Sequence, residues 1–224
     1  MKEITLNNTS KVIEFKESKF SKKNLSTIKN FQKLVKDNGD NGLRTISSIL
    51  GEKSLNSFKV KKSEFKTSEK LVDDELKNAI LVAYSNIKKY HEKQLNGLSI
   101  TTTETTKGIS LWSDFKPIDT VGLYVPGGTA PLFSSLLMQA IPAIIAGCKN
   151  IIICTPPDKN GKINPTILWT AKLLGIENIF KVGGSQAIFA MAYGTKSIPK
   201  CLKIFGPGNQ FVTEAKKMVT NEVS

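Results

Sequence analysis

The chain has 224 residues, 40% hydrophobic and 23% charged, a balance typical of a globular protein with one large domain or one and a half ordinary ones. It carries 32 basic and 19 acidic side chains for a net charge of +13, yet Arg44 is the only arginine among the basic residues. Nucleic-acid surfaces favour arginine for its bidentate contacts, and these lysines are spread evenly, so a solvated surface is expected rather than a nucleic-acid partner. No apolar run reaches the roughly 18 residues that span a bilayer, the first residues lack the apolar core of a secretion signal, and three cysteines make no disulfide framework. No membrane partner is expected, and the cytoplasm is the expected location.

Residues 1–24 are polar and lysine-rich and read as a loosely ordered arm. From Leu25, the apolar residues Ile28, Phe31, Leu34 and Val35 recur three or four apart, which predicts a helix. The glycine-rich residues 36–42 are expected to end it, with a short helical piece over 43–50. Residues 57–65 alternate weakly and read as either strand or loop. Ser68 is the expected cap of a long helix whose stripe is Leu76, Ile80, Ala83, Tyr84 and Ile87, stopped at Asn96-Gly97. His91, the only histidine, falls at the lysine-rich end of this helix and reads as solvated. Residues 101–106 suggest an exposed strand or a linker.

Charge density drops near residue 120 and buried-type strands begin. Strands are predicted over 121–125, 150–154, 178–182 and 203–205, alternating with helices over 134–147, 164–174, 187–193 and 212–219; Ser134 is the expected cap of the first of these. Four β-α units in about 100 residues predict an α/β fold, a Rossmann-like parallel sheet with helices on both faces, preceded by a helical N-terminal segment. The expected divisions are 1–24, 25–120 and 121–224, the last an incomplete nucleotide-binding domain. Ligands of such sheets sit beyond the carboxyl ends of the strands, here the loops 126–133, 183–186 and 206–209. Their glycines allow close backbone approach, and the helices that follow offer unpaired N–H groups to an anion. Neither glycine turn is the G-x-G-x-x-G fingerprint, so a phosphate-bearing ligand is only suggested. Cys148, Cys154 and Cys201 lack an activating histidine and read as small apolar core residues.

Four separate blocks of this chain, Val121 to Leu132, Ala146-Gly147-Cys148, Gly183 to Ile188 and Lys203 to Asn209, resemble the histidinol dehydrogenase family. Its hallmarks are V-G-L-Y-[VI]-P-G-G-[ST]-A-P-L, A-G-C, G-G-[AS]-Q-A-I-A and K-I-F-G-P-G-N, and residues 35–40 resemble its V-x-x-x-G-D stretch. The resemblance implies a zinc-dependent, NAD-linked oxidoreductase of histidine biosynthesis that takes L-histidinol to L-histidine in two oxidations, and that forms homodimers. It implies NAD contacts at Tyr124, Gln186 and Asn209. From the residues alone, Tyr124 reads equally as core, Gln186 as a first-turn surface residue and Asn209 as a helix cap. Chains of the family are about twice as long, and their zinc ligands and Glu-His pair lie beyond position 224. No catalytic or metal-binding residue is therefore expected here, and the chain is expected to be inactive alone. Alternatives are a non-catalytic nucleotide-binding module and a related zinc/NAD dehydrogenase acting on another polyol.

Overall fold

The computed structural model of the protein describes residues 21–98, 101–127 and 131–224. Four parallel strands, β3 (Thr120–Tyr124), β4 (Asn150–Thr155), β5 (Ile179–Lys181) and β6 (Lys203–Phe205), form a sheet of order β5-β4-β3-β6. The chain builds β3, β4 and β5 outward in one direction and then crosses back to lay β6 on the other side of β3. The order therefore reverses between β3 and β6, which opens a crevice at their carboxyl ends. β4 reads as an uninterrupted apolar run because both its faces are covered. Ile151 and Ile153 enter a core built with α4 (Phe133–Ile145) and α5 (Pro165–Leu173), whereas Ile152 and Cys154 enter one built with α1 (Lys22–Ile49), α6 (Gly184–Tyr193) and α7 (Gln210–Met218). The expected α/β architecture with helices on both faces is present.

The N-terminal segment shares both cores. α1 lays Ile28, Phe31, Val35, Leu43 and Ile46 against α6 and α7. Its residues 21–24 supply the Ser21 cap and the first turn, while the rest of the expected arm lies outside the described residues. The expected break falls within residues 36–42: Gly39 leaves helical geometry (φ 52°, ψ −123°), so α1 is two helices joined at a kink, the second starting directly after it rather than after a glycine-rich turn. The residue after the kink, Asp40, is held from across the fold. Its carboxylate accepts the Ser197 hydroxyl at 2.5 Å and the Ser197 N–H at 3.2 Å, tying α1 to the loop after α6. Arg44, the sole arginine, is engaged inside the fold, donating to the Leu55 carbonyl and lying 5.4 Å over the Phe58 ring. It anchors residues 58–60, which run along the outer edge of β5: the Val60 N–H donates to Ile179 O, and the Lys181 N–H to Phe58 O. The stretch 57–65 is thus an edge partner followed by the start of a helix, α2 (Lys62–Leu71).

Ser68 is not a cap. It lies inside α2, buried, with its hydroxyl donating to Phe65 O, and the long helix α3 (Asp74–Asn96) is capped by Asp73. Two helices separated only by Val72 and Asp73 read as one in the sequence. Ser134 is likewise not the cap of α4, which starts from Leu132 without a side-chain cap. The threonine run becomes β1 (Thr102–Thr106), an exposed strand paired antiparallel with β2 (Ile109–Trp112). The remaining sheet elements fall within a few residues of expectation.

Two outcomes follow from this packing. Burial pushes the Asp40 carboxyl up, but hydrogen bonds from Ser197 and Thr195, with Arg44 nearby, outweigh it and hold the pKa below the usual value. A depressed folded-state pKa contributes stability above the unfolded value of about 4, and that contribution disappears as pH falls through the folded value. Asp40→Asn should lower stability at neutral pH by about 1–2 kcal/mol and flatten the acid limb of a stability-versus-pH curve measured by urea unfolding. At Gly206, φ is +126° and an added Cβ would sit 2.2 Å from the Tyr124 carbonyl oxygen. Gly206→Ala should cost about 3 kcal/mol or more in thermal or denaturant unfolding, because strained backbone and a backbone clash act together.

Candidate functional site

A cleft of about 1110 Å³ runs across the carboxyl ends of β3 and β4, from the crevice beside β6 to α2 and α5. The first glycine turn, Pro126-Gly127, and the last, Pro207-Gly208, both line it; residues 128–130 of the first loop lie outside the described residues. Many of these glycines are required by protein contacts. A Cβ at Gly127 would meet the Pro156 ring at 2.5 Å, one at Gly183 would meet it at 2.4 Å, and one at Gly208 would meet Val212 at 2.3 Å. The close approach that glycine permits here joins the loops to one another and so shapes the floor of the cleft.

Tyr124 ends β3 with its ring buried and its edge on the cleft. Its hydroxyl accepts the Gly184 N–H at 3.0 Å, which fixes the first turn of α6 against β3. Burial raises the phenol pKa above 10, against the pull of the Gly184 N–H, so the hydroxyl remains protonated and keeps a proton to donate. Asn209 is exposed on the cleft and caps α7: its Oδ1 accepts from the N–H groups of Phe211 (3.0 Å) and Val212 (3.2 Å). Capping occupies only the oxygen. The side-chain NH2 has no partner among the described residues, which leaves two donors on a residue that lines the cleft. The loop carrying Asn209 is held from behind by Lys216, whose Nζ donates to Gly206 O at 2.6 Å; burial lowers the pKa of this amine.

Gln186 is placed differently. It is buried at 4% exposure rather than on the surface, and it lies beside a small second crevice with Glu52, Lys181 and Pro157. The positive φ of Gly184 (63°) turns the start of α6 so that the Gln186 amide folds back over that glycine. Tyr124 and Asn209 therefore share the cleft, and the Gln186 side chain sits behind its wall. The third wall, α2, was invisible in the sequence because its first residues carry no clear periodicity. It contributes Ser63, Glu64 and Thr67, and Glu64 is fixed by a largely buried ion pair with Lys181 at 2.7 Å.

The other titratable candidates lie outside the cleft. His91 is on α3 with its Nδ1 2.7 Å from Gln94 Oε1. Cys154 and Cys201 are buried, and desolvation pushes both thiols up, Cys201 to about 12, so neither supplies a thiolate. Among the described residues no three His, Cys, Asp or Glu side chains come together to hold a metal ion, so these residues do not fit a zinc centre. They do fit a nucleotide cofactor: at about 1110 Å³ the cleft is slightly larger than ordinary ligand sites, with free amide donors and bare backbone at its switch-point end. No helix among the described residues is long and apolar enough to cross a membrane.

The model of the histidinol dehydrogenase family matches residues 15–224. Histidinol dehydrogenase of Bacteroides fragilis strain YCH46 is 51% identical over 195 residues, 87% of this chain and 45% of that protein. The enzyme of Escherichia coli O157:H7 is 44% identical over 197 residues, 88% of this chain and 44% of that protein. The crystal structure of histidinol dehydrogenase from Elizabethkingia anophelis superposes with a TM-score of 0.87 at 45% identity, covering 92% of this chain and 47% of that one. The chain thus spans about half the length of the curated relatives it matches. With the family model covering nearly all of the sequence and a solved member superposing on 92% of it, the chain belongs to the histidinol dehydrogenase family.

Proposed function

We propose that the chain supplies the NAD-binding layer of an L-histidinol dehydrogenase, an oxidoreductase that takes L-histidinol to L-histidine in two NAD-linked steps of histidine biosynthesis. The observation that carries this reading is the meeting of Tyr124 and Asn209 on one cleft at the reversal of strand order, within a chain of that family. NAD, when bound, accepts hydride. This chain's own contribution is to hold it: the Asn209 NH2 donates to the ligand, the protonated Tyr124 hydroxyl braces the turn at Gly184, and Gln186 supports that turn from behind. No step is assigned to zinc, because the residues described do not assemble ligands for it. A cytoplasmic location and a homodimeric assembly complete the proposal.

Asn209 separates binding from folding. Asn209→Asp keeps an oxygen that can cap α7 but removes both side-chain donors. It should leave the melting temperature nearly unchanged and weaken NAD about tenfold by isothermal titration, whereas Asn209→Ala should lose about 1 kcal/mol of stability as well. Equal NAD affinity in wild type and Asn209→Asp would remove Asn209 from the site. The 224-residue chain alone should form no NADH from L-histidinol, since its one histidine lies on α3, away from the cleft. Turnover followed at the NADH absorbance would overturn that expectation.

A further inference from the structure

Three elements meet at Gly206, behind the cleft. Its carbonyl accepts from Lys216 Nζ of α7 at 2.6 Å. Where its side chain would stand, two oxygens converge: a Cβ there would lie 2.2 Å from Tyr124 O at the end of β3 and 3.1 Å from Gln139 Oε1 of α4. The Gln139 amide is fixed through its nitrogen, which donates to Ser135 O at 2.9 Å and, more weakly, to Tyr124 O at 3.4 Å. Both nitrogen-borne hydrogens are used on carbonyls, so the orientation of the amide is settled and Oε1 is the atom left beside Gly206. That oxygen is buried and accepts no hydrogen bond among the described residues. Gln139 does not line the cleft.

A buried acceptor without a donor is destabilising, and an apolar side chain of similar size would avoid that penalty. What the oxygen provides is room. It is smaller than a methyl group, and it can take a weak Cα–H contact that a methyl group cannot. Gly206 therefore approaches β3 and α4 more closely than a leucine or methionine at position 139 would allow. A displacement of Gly206 is passed along the loop, because Pro207 has a fixed φ and Gly208 is packed against Val212, leaving little slack before Asn209. We infer that Gln139 is a positioning residue: it sets how far the 206–209 loop stands from Tyr124, and so where Asn209 meets a ligand. The inference rests on the nucleotide reading of the cleft above, and Gln139 itself touches no ligand.

The test compares the full chain with Gln139→Leu and Gln139→Met by thermal unfolding, by amide spectra of the isotopically labelled protein without ligand, and by calorimetric titration of NAD. Each variant removes the orphaned oxygen and puts a methyl group against Gly206. Melting temperatures should equal or exceed the wild-type value, while the backbone amides of residues 206–212 and the Asn209 side-chain NH2 move and NAD weakens about fivefold. A side chain that merely stabilises the fold would give the opposite pattern, a lower melting temperature with unchanged amide shifts and unchanged affinity in the folded protein. That pattern, or the failure of both variants to fold, would overturn the positioning role and leave the nucleotide reading standing. A wild-type chain that binds no NAD would overturn the nucleotide reading and with it the role in binding.

Discussion

The ring of Pro156 lies against the bare Cα atoms of two glycines from different loops, Gly127 after β3 and Gly183 after β5. Across the sheet, Gly206 brings its backbone up to the Tyr124 carbonyl in the same manner. These approaches bring the carboxyl ends of four parallel strands close enough to share one floor. Any side chain at those positions would hold the loops apart by the width of a methyl group or more, and the cleft would lose its shape before it lost a single polar contact. The site therefore depends on excluded volume first and on hydrogen bonding second.

Much of this was legible in the sequence. The runs Val121–Val125 and Ile151–Cys154 could be read as central parallel strands because both faces of each are buried, and their alternation with helices settled the fold class. The glycine turns could be read as loops at one end of the sheet, since strand direction alone places them there. What glycine does in those turns was not legible, because its neighbours come from elsewhere in the chain: Pro156 for two of them and Tyr124 for a third. Gln186 shows the same limit. Its type and spacing suit a ligand, but the positive φ of Gly184 turns its amide into the wall, and sequence periodicity carries no information on such a reversal.

Errors in the N-terminal half have a different origin. Ser68 has the chemistry of a cap but sits in the middle of α2, and the true cap, Asp73, stands among several acidic residues any of which suits a helix start. Gly39 belongs to a run of turn-forming residues that would stop an isolated helix. The run does end the first helix at Gly39, but the apolar stripe resumes directly through Leu43 and Ile46, and packing on α6 and α7 holds both sides of the kink, so no separate turn intervenes. Tertiary burial overrides local propensity wherever the stripe is long enough to engage a partner. Asn209 caps a helix through its oxygen and also lines the cleft.

The link between Asp40 and Ser197 closes a loop of 157 residues. α1 leaves the ribosome long before the helices that cover its stripe, α6 and α7, which begin only at Gly184 and Gln210. Throughout that interval the stripe of Ile28, Phe31, Val35, Leu43 and Ile46 lacks the two helices that cover it, and closing so long a loop is slow. α1 is thus synthesised well before it is covered, and over that interval nascent chains carry an apolar stripe open to chaperones or to one another.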